Sequence, residues 1–421
     1  MTDYTNSKLK SMSQSATLAI NELSHALEAQ GKTIYRFGLG QSPFPVPESV
    51  RKELSAQARQ KDYLPVQGLL ELRETIARFH HTVDQLTFSP DQIIIGPGSK
   101  ELMFLLQLVF TGDLLIPSPC WVSYYPQAVI SGRPVRFIPT TYRDRWRISP
   151  ESLAAAAGTS RRPKLLILNY PGNPDGLTYT EDELIQLAET ARQNRILILS
   201  DEIYGLLHHR GGHVSIARFY PEGTIVSAGL SKWCGAGGWR LGTFAFPDEL
   251  NDLRKAVAVI AGESFTSVSA PIQYAAVTAF QFGDDIQRYV SHSRLILQVM
   301  GQAITQQLKA AGVQIHPPLG GFYLFPDFSP WQHELQQKGI HTSRELCEDL
   351  LDRTGVATLP GSAFHRPENE FSLRLAYVNF DGTKALKQVT MQGQISLEEL
   401  KETCPQPFAA MEVMIDYFKQ L

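Results

Sequence analysis

The chain holds 421 residues, of which 43% are hydrophobic, with a formal net charge of −3. That length spans about two or three domains of ordinary size, and the near-neutral charge excludes a partner held by basic charge, nucleic acid above all. Its four cysteines, Cys120, Cys234, Cys347 and Cys404, are far apart with no Cys-x-x-Cys pair, which excludes a disulfide framework and a zinc site and fits a reducing compartment.

The N-terminal MTDYTNSKLKSMSQS is polar and lacks the apolar core of a secretory signal. The longest apolar stretches, such as LMFLLQLVF from Leu102, fall far short of a membrane span, so a cytoplasmic protein with no membrane partner is expected. Ala16 to Ala29 predicts an amphipathic helix with Leu18, Leu23, Ala26 and Leu27 on one side and Gly31 stopping it. A Pro-rich turn, QSPFPVPES, follows, and then Pro47 to Gln60 and Leu69 to His80 read as helices. From Ile93 the pattern changes. Short apolar runs bounded by Gly and Pro alternate with helical segments: QIIIG, DLLIP, PVRFIP, KLLILNYP, RILILSDE, GTIVSAG and GTFAFP. Runs of this kind are strands buried on both faces, and the alternation predicts a mostly parallel sheet with crossover helices. A long helical stretch then runs from Asn251 towards Ala311, followed by GGFYLFPDF, a helix around Arg344 to Thr354, GVATLPG, FSLRLAYVNF and a terminal helix. The expected architecture is α/β, with a large doubly wound domain over residues 47–290 and a smaller α+β domain built from residues 1–46 and 291–421.

Three of these strand ends carry unusual polar groups. KLLILNYPGNPDG ends in Asn169 and Asn173, RILILSDEIYG in Asp201, Glu202 and Tyr204, and GTIVSAGLSK in Ser231 and Lys232. Functional residues of open α/β sheets gather at the carboxyl edge, so Asn173, Asp201, Tyr204 and Lys232 are expected in one crevice. Lys232 sits among Leu230, Trp233 and Trp239 in a glycine-rich segment, where an ammonium is poorly solvated and a neutral amine is within reach. That is the setting of a Schiff-base lysine. Arg240, eight positions on, offers a fork for a phosphate. Together they point to a phosphorylated aldehyde cofactor, pyridoxal phosphate, with Asp201 paired to its pyridinium nitrogen and Asn173 and Tyr204 donating to its phenolate oxygen.

The run Asn169-x-Pro-x-Asn173-Pro-x-Gly, then Asp201-Glu-Ile-Tyr204, then Ser231-Lys232 with Gly238-Trp239-Arg240-Leu241-Gly242, resembles the class I/II aminotransferases, pyridoxal-phosphate enzymes of fold type I. The likeness extends over nearly the whole chain, from SATLAINEL at 15 to GVATLPGSAF at 355, and within the family the chain resembles the bacterial aspartate/prephenate and aromatic types. It implies that Lys232 is the Schiff-base residue and proton shuttle, with Asp201 facing the pyridine nitrogen and Trp121 stacking on the ring. It implies that Arg240, Ser231 and the backbone of Ser99 and Lys100 bind the phosphate, and that Arg374 forks the substrate α-carboxylate beside Gly40. It also implies a homodimer with shared active sites, in which Tyr63 reaches the phosphate of the other subunit. The expected substrates are an L-amino acid and a 2-oxo acid, exchanged by a ping-pong mechanism.

The sequence departs from the resemblance at two places. Gly229 stands where many relatives carry a phosphate-binding serine, and Asp175 replaces the usual threonine of the Asn-Pro-Thr-Gly turn, a substitution expected to matter little. Gly98-Ser99-Lys100 resembles the Gly-Gly-Lys of aspartate/prephenate enzymes, which implies that Lys100 faces the distal carboxylate of an acidic substrate. His80-His81 and His208-His209 read as solvated, and no metal is expected. A C–S β-lyase or another amino-acid lyase of the same fold shares the lysine and the aspartate and stays open as an alternative. A cofactor-binding regulator is disfavoured because no basic DNA-binding segment precedes Ser15.

Overall fold

The structure is a computed structural model that describes Tyr4, residues 16–159 and residues 161–421. Ser15 and most of the polar N-terminal stretch lie outside the described residues.

The chain forms β1 (Tyr35–Arg36), β2 (Ile93–Gly96), β3 (Asp113–Ser118), β4 (Val135–Pro139), β5 (Lys164–Asn169), β6 (Ile196–Asp201), β7 (Thr224–Gly229) and β8 (Gly242–Ala245). Later in the chain come β9 (Tyr323–Leu324), β10 (Val356–Ala357), β11 (Leu359–Pro360) and β12 (Leu373–Ala376). Strands β2 to β8 make one seven-stranded sheet in the order β2-β8-β7-β6-β5-β3-β4. Each of the seven apolar runs is one of its strands. The sheet is parallel except at β8, which runs antiparallel to both β2 and β7. Helices cover both faces, which is why β5 and β6 are apolar almost throughout. Leu165 and Ile167 pack into one core cluster, and Leu166 and Leu168 into another on the opposite face.

The first of those clusters is closed by α4 (Ser99–Val109), α5 (Tyr124–Ser131) and α8 (Asn251–Ser264), and the second by α6 (Pro150–Ala157) and α7 (Glu181–Gln193). Ahead of the sheet lie α1 (Ala16–Ala29), α2 (Glu48–Gln57) and α3 (Leu70–Phe79). The stretch from Asn251 to Ala311 is three helices rather than one. Helix α9 (Ala270–Gln281) starts after a break at Phe265–Ser269, and α10 (Asp284–Ala310) starts after Phe282 in the left-handed region and Gly283. The remaining strands form a three-stranded antiparallel sheet, β11-β12-β9, and a parallel pair, β1-β10. Among the described residues no helix is long and apolar enough to cross a membrane.

Helix α1 has the expected bounds but a different buried side. Ser24 is its buried residue, Ile20 and Leu27 pack against neighbouring cores, and Leu18 and Leu23 are exposed. The histidine pairs are also not simply solvated. His80 is buried with Nδ1 2.7 Å from Asp84, and His209 is buried with Nε2 3.0 Å from the Gly321 carbonyl. Among the described residues no three His, Cys, Asp or Glu side chains group as metal ligands.

Candidate active site

Strands β5, β6 and β7 are parallel neighbours, and their registers set Asn169 beside Asp201 and Asp201 beside Ser227. Their carboxyl ends therefore open on one edge, where a cleft of about 530 Å³ lies. Gly40, Ser99, Lys100, Trp121, Asn173, Asp201, Tyr204, Ser231, Lys232, Arg240 and Arg374 all line it. Tyr63 does not; its side chain is 90% exposed, away from this cleft.

Lys232 Nζ donates to the Gly40 carbonyl at 2.8 Å and stands 5.7 Å above the Tyr204 ring. It is held by a backbone carbonyl rather than by a carboxylate, a hold that a covalent partner can replace. Asp201 is buried. Its Oδ2 accepts from the Tyr124 hydroxyl at 2.5 Å, while Oδ1 has no hydrogen-bond partner. Burial pushes its carboxyl up to about 6, with Glu202 next to it adding to the rise and Tyr124 and Lys232 opposing it. A buried carboxylate with one free oxygen is matched to a cationic N–H donor. Asn169 Nδ2 donates to the Asp201 carbonyl at 2.8 Å, and the Asn173 amide donates to Asn169 Oδ1 at 2.8 Å, so the two strand ends brace each other.

Anion-binding groups gather at the other end of the cleft. Gly98, at φ +91°, caps the N-terminus of α4, where free amides and the helix dipole favour negative charge. A Cβ on Gly98 would lie 2.2 Å from Arg240 Nη2, so glycine there lets the guanidinium reach the helix start. Arg240 is itself left-handed, at φ +56°, a strained conformation for arginine. Its two terminal nitrogens reach only the Gly237 and Pro97 carbonyls, at 3.0 and 3.3 Å. The Gly229 departure has a steric reason. A Cβ there would meet the Leu241 carbonyl at 2.7 Å, so the backbone leaves no room for a serine, and Ser231, in the same segment, is among the hydroxyls that line the cleft.

The opposite wall carries Arg374 on β12, 1% exposed. Its Nη1 donates to Asn173 Oδ1 at 3.2 Å, and its Nη2 donates to the Gly38 carbonyl. Lys100 Nζ stands 5.5 Å over the Trp121 ring at the cleft mouth, where partial burial and the Arg240 charge lower its pKa.

Four contributors are not legible from the motifs. Tyr323 sits with its hydroxyl 2.9 Å from that of Tyr204 and its ring 4.8 Å from the Arg374 guanidinium. A Cβ on Gly40 would fall 1.8 Å from the Tyr323 hydroxyl, which explains the glycine at that position. Tyr124 is the partner of Asp201, and Thr17 and Leu18 of α1 close the cleft rim. The spacing of Trp121 and Tyr124 in one turn was the only signal for any of them.

The family model for aminotransferases of class I and II matches residues 32–385. The chain belongs to this family. This aminotransferase is 33% identical over 387 residues to the aspartate aminotransferase of Bacillus sp. strain YM-2, covering 90% of the chain and 95% of the relative. It is 31% identical over 382 residues to the probable aspartate/prephenate aminotransferase of Aquifex aeolicus, covering 88% and 93%. Among solved structures it superposes on the Thermus thermophilus aspartate aminotransferase with maleate at a TM-score of 0.84 and 27% identity, over 99% of this chain and 100% of that one. Enzymes of this family are generally pyridoxal-phosphate-dependent, and its aminotransferases act on amino acids and oxo acids.

Proposed function

We propose that this aminotransferase binds pyridoxal phosphate in the cleft and moves the amino group between an acidic L-amino acid, aspartate or glutamate in type, and a 2-oxo acid. The observation that carries the cofactor reading is the unpartnered, fully buried Oδ1 of Asp201, which faces the same cleft as the Lys232 amine and the Arg240–Gly98 anion site. Each end of the donor set fits a different part of the cofactor: Asp201 the ring nitrogen, Asn173 and Tyr204 the ring oxygen, Trp121 the ring face, and Arg240, Ser231 and the Ser99 and Lys100 amides the phosphate. When bound, pyridoxal phosphate supplies the electron sink that stabilises the charge left on the substrate Cα.

The residues of the chain do the rest. Arg374 grips the α-carboxylate in a fixed two-pronged geometry, its ring neighbour Tyr323 and Asn173 holding the guanidinium in place. Lys232 Nζ, released from the Gly40 carbonyl, takes the Cα proton as general base. Leu18, Trp121 and Tyr323 line the cleft with apolar surface that limits water at the reacting carbon.

The acidic-substrate reading rests on Lys100, a cation that lines the same cleft as Arg374, and accords with the named specificity of the relatives and with maleate, a dicarboxylate, in the Thermus structure. The working form is a cytoplasmic homodimer in which Tyr63 serves the second copy's phosphate; its exposure, clear of its own cleft, supports that role. The large and small domains divide at about residues 47 and 290, the latter inside the continuous α10.

A donor panel tests the proposal. The purified protein is mixed with aspartate, glutamate, aromatic and aliphatic amino acids without an oxo acid, and the shift of the visible cofactor band is recorded for wild type and Lys100→Ala. Acidic donors should convert the band, and Lys100→Ala should raise their half-saturation about tenfold, the weight of one charged contact, while sparing the others. A uniform effect on all donors removes Lys100 from specificity. Catalytic release of pyruvate and ammonia from cystathionine without an acceptor makes the enzyme a lyase instead.

A further inference from the structure

Behind the cleft lies a buried ion pair that no step above uses. Arg147 and Asp175 are each more than nine-tenths buried, with Arg147 Nη2 3.6 Å from Asp175 Oδ1. Arg147 Nε donates to the Thr178 carbonyl at 2.8 Å, and the guanidinium stacks 4.7 Å over the Tyr179 ring. Nη2 itself makes no hydrogen bond. Burial raises the Asp175 pKa more strongly than Arg147 lowers it. Charges held this way return less to the fold than their desolvation costs, so stability alone is a poor reason for the pair. Asp175 stands where the resemblance to the class I/II aminotransferases implies a neutral threonine.

The pair underpins the turn that presents Asn173. Asp175 Oδ1 accepts from the Leu177 amide at 2.7 Å, and a Cβ on Gly172 would lie 2.5 Å from the same oxygen, so the carboxylate is packed against the backbone of its own turn. The turn is closed by Gly176 N to Gly172 O at 2.9 Å and Gly172 N to Leu177 O at 2.8 Å. Its Gly176 carbonyl also accepts from the Leu319 and Gly320 amides, at 2.7 and 3.0 Å, on the segment that leads into β9 and Tyr323. Asn173 Oδ1 holds Arg374. The cofactor-facing and substrate-facing walls therefore meet on this one turn. A cavity of about 20 Å³ borders Arg147, Asp175, Asn169, Asn173 and Tyr124, and it is the space into which a loosened turn would relax.

We propose that Arg147 and Asp175 are positioning residues for transamination: the buried pair pins the 172–177 turn so that Asn173 keeps its amide towards the cofactor's ring oxygen and its carbonyl towards Arg374. Neither residue lines the cleft. The inference rests on the pyridoxal phosphate reading, and the following test separates the two.

Holoenzymes of wild type, Arg147→Met, Asp175→Thr and Arg147→Met/Asp175→Thr are compared for the pH midpoint of the bound cofactor's visible band, for cofactor dissociation, for KM and kcat, and for melting temperature. A weaker donor to the ring oxygen disfavours its deprotonated form, so each single variant should raise the midpoint by about half a pH unit or more. KM for the preferred donor should rise about five- to tenfold with a smaller loss of kcat, because Arg374 loses its brace. The double variant, which removes the pair without burying a lone charge, should recover melting temperature but keep the raised midpoint and KM, whereas return of both readings to wild type would overturn the proposal. Asp175→Asn keeps the shape without the charge and stands in if the threonine variant does not fold. Single variants that melt earlier but keep the wild-type midpoint and KM would reduce the pair to a structural element and overturn the proposal. A wild-type protein that takes up no cofactor would overturn both readings together.

Discussion

The two walls of the cleft are built in different ways. The wall proposed to face the cofactor, with Asn173, Asp201, Tyr204 and Lys232, comes from the ends of β5, β6 and β7, three neighbouring parallel strands, and a sheet ladder fixes where those ends lie. The proposed substrate-facing wall is assembled from Gly40, distant in the chain, and from Tyr323 and Arg374 on the paired strands β9 and β12, together with the rim of α1. Side-chain contacts join it to the first wall: Arg374 to Asn173, Tyr323 to Tyr204, and glycine at position 40 to make room. The first wall is a consequence of one sheet's topology, and the second of a smaller sheet joined to it by side-chain packing, and damage to them should read out differently.

The largest effect is expected on the first wall. Lys232→Ala removes the proposed general base, and turnover should fall by about 10⁴-fold or more, beyond the upper range for a single proton transfer because in the proposed site the amine also anchors the cofactor. Cofactor affinity should fall much less, since Asp201 and the Arg240 site remain. Exchange of the substrate Cα hydrogen with deuterated water, followed by NMR, isolates the step. Exchange at the wild-type rate would show that another group takes the proton and would break the role given to this wall.

On the second wall, Arg374→Ala should lower kcat/KM about 100-fold, in line with a charged, two-pronged hydrogen bond. The loss should be equal for acidic, aromatic and aliphatic donors, because all share the α-carboxylate, and the cofactor band should keep its intensity. A loss confined to acidic donors would mean that Arg374 grips the distal carboxylate, and the two ends of the substrate would have to be exchanged in the site.

The same contrast decides what the sequence could reveal. The seven apolar runs are strands because a strand covered on both faces is apolar throughout, and the polar residues that end three of them break that pattern visibly. Helix α1 was read with the right bounds and the wrong side. Apolar spacing cannot tell a leucine that packs on a core, such as Leu27, from one that faces the cleft rim, such as Leu18. Tyr323 hides within GGFYLF because a tyrosine in an apolar run looks like core, and only the fold brings its hydroxyl to Tyr204. Asp175 read as a minor replacement because its partner, Arg147, lies on the far side of a strand and a helix in sequence. In Asn251 to Ala311 the left-handed Phe282 and the break after Ser264 divide what hydrophobic pattern alone joins.

Tyr124 offers the smallest and most specific test, because it adjusts the first wall without touching its motif residues. Its hydroxyl donates to Asp201 Oδ2 and so favours the ionised carboxylate, whose pKa burial has raised to about 6. Only the ionised form accepts from a pyridinium N–H, so the affinity of the apoprotein for pyridoxal phosphate should fall as pH drops through that value. Tyr124→Phe keeps the ring, whose centroid lies 5.3 Å from that of Trp121, and deletes only the donor. The Asp201 pKa must then rise, and the fall in affinity should begin at higher pH. A shift of about one pH unit corresponds to about tenfold weaker binding once both carboxyls are mostly protonated, and less at neutral pH. The two proteins should converge above about pH 8, where Asp201 is ionised in both. Cofactor titrations of the apoproteins by fluorescence across that range give the two curves directly. Superimposable curves would mean that the hydroxyl does not set the state of Asp201, and that the buried carboxylate is tuned by the strand ends alone.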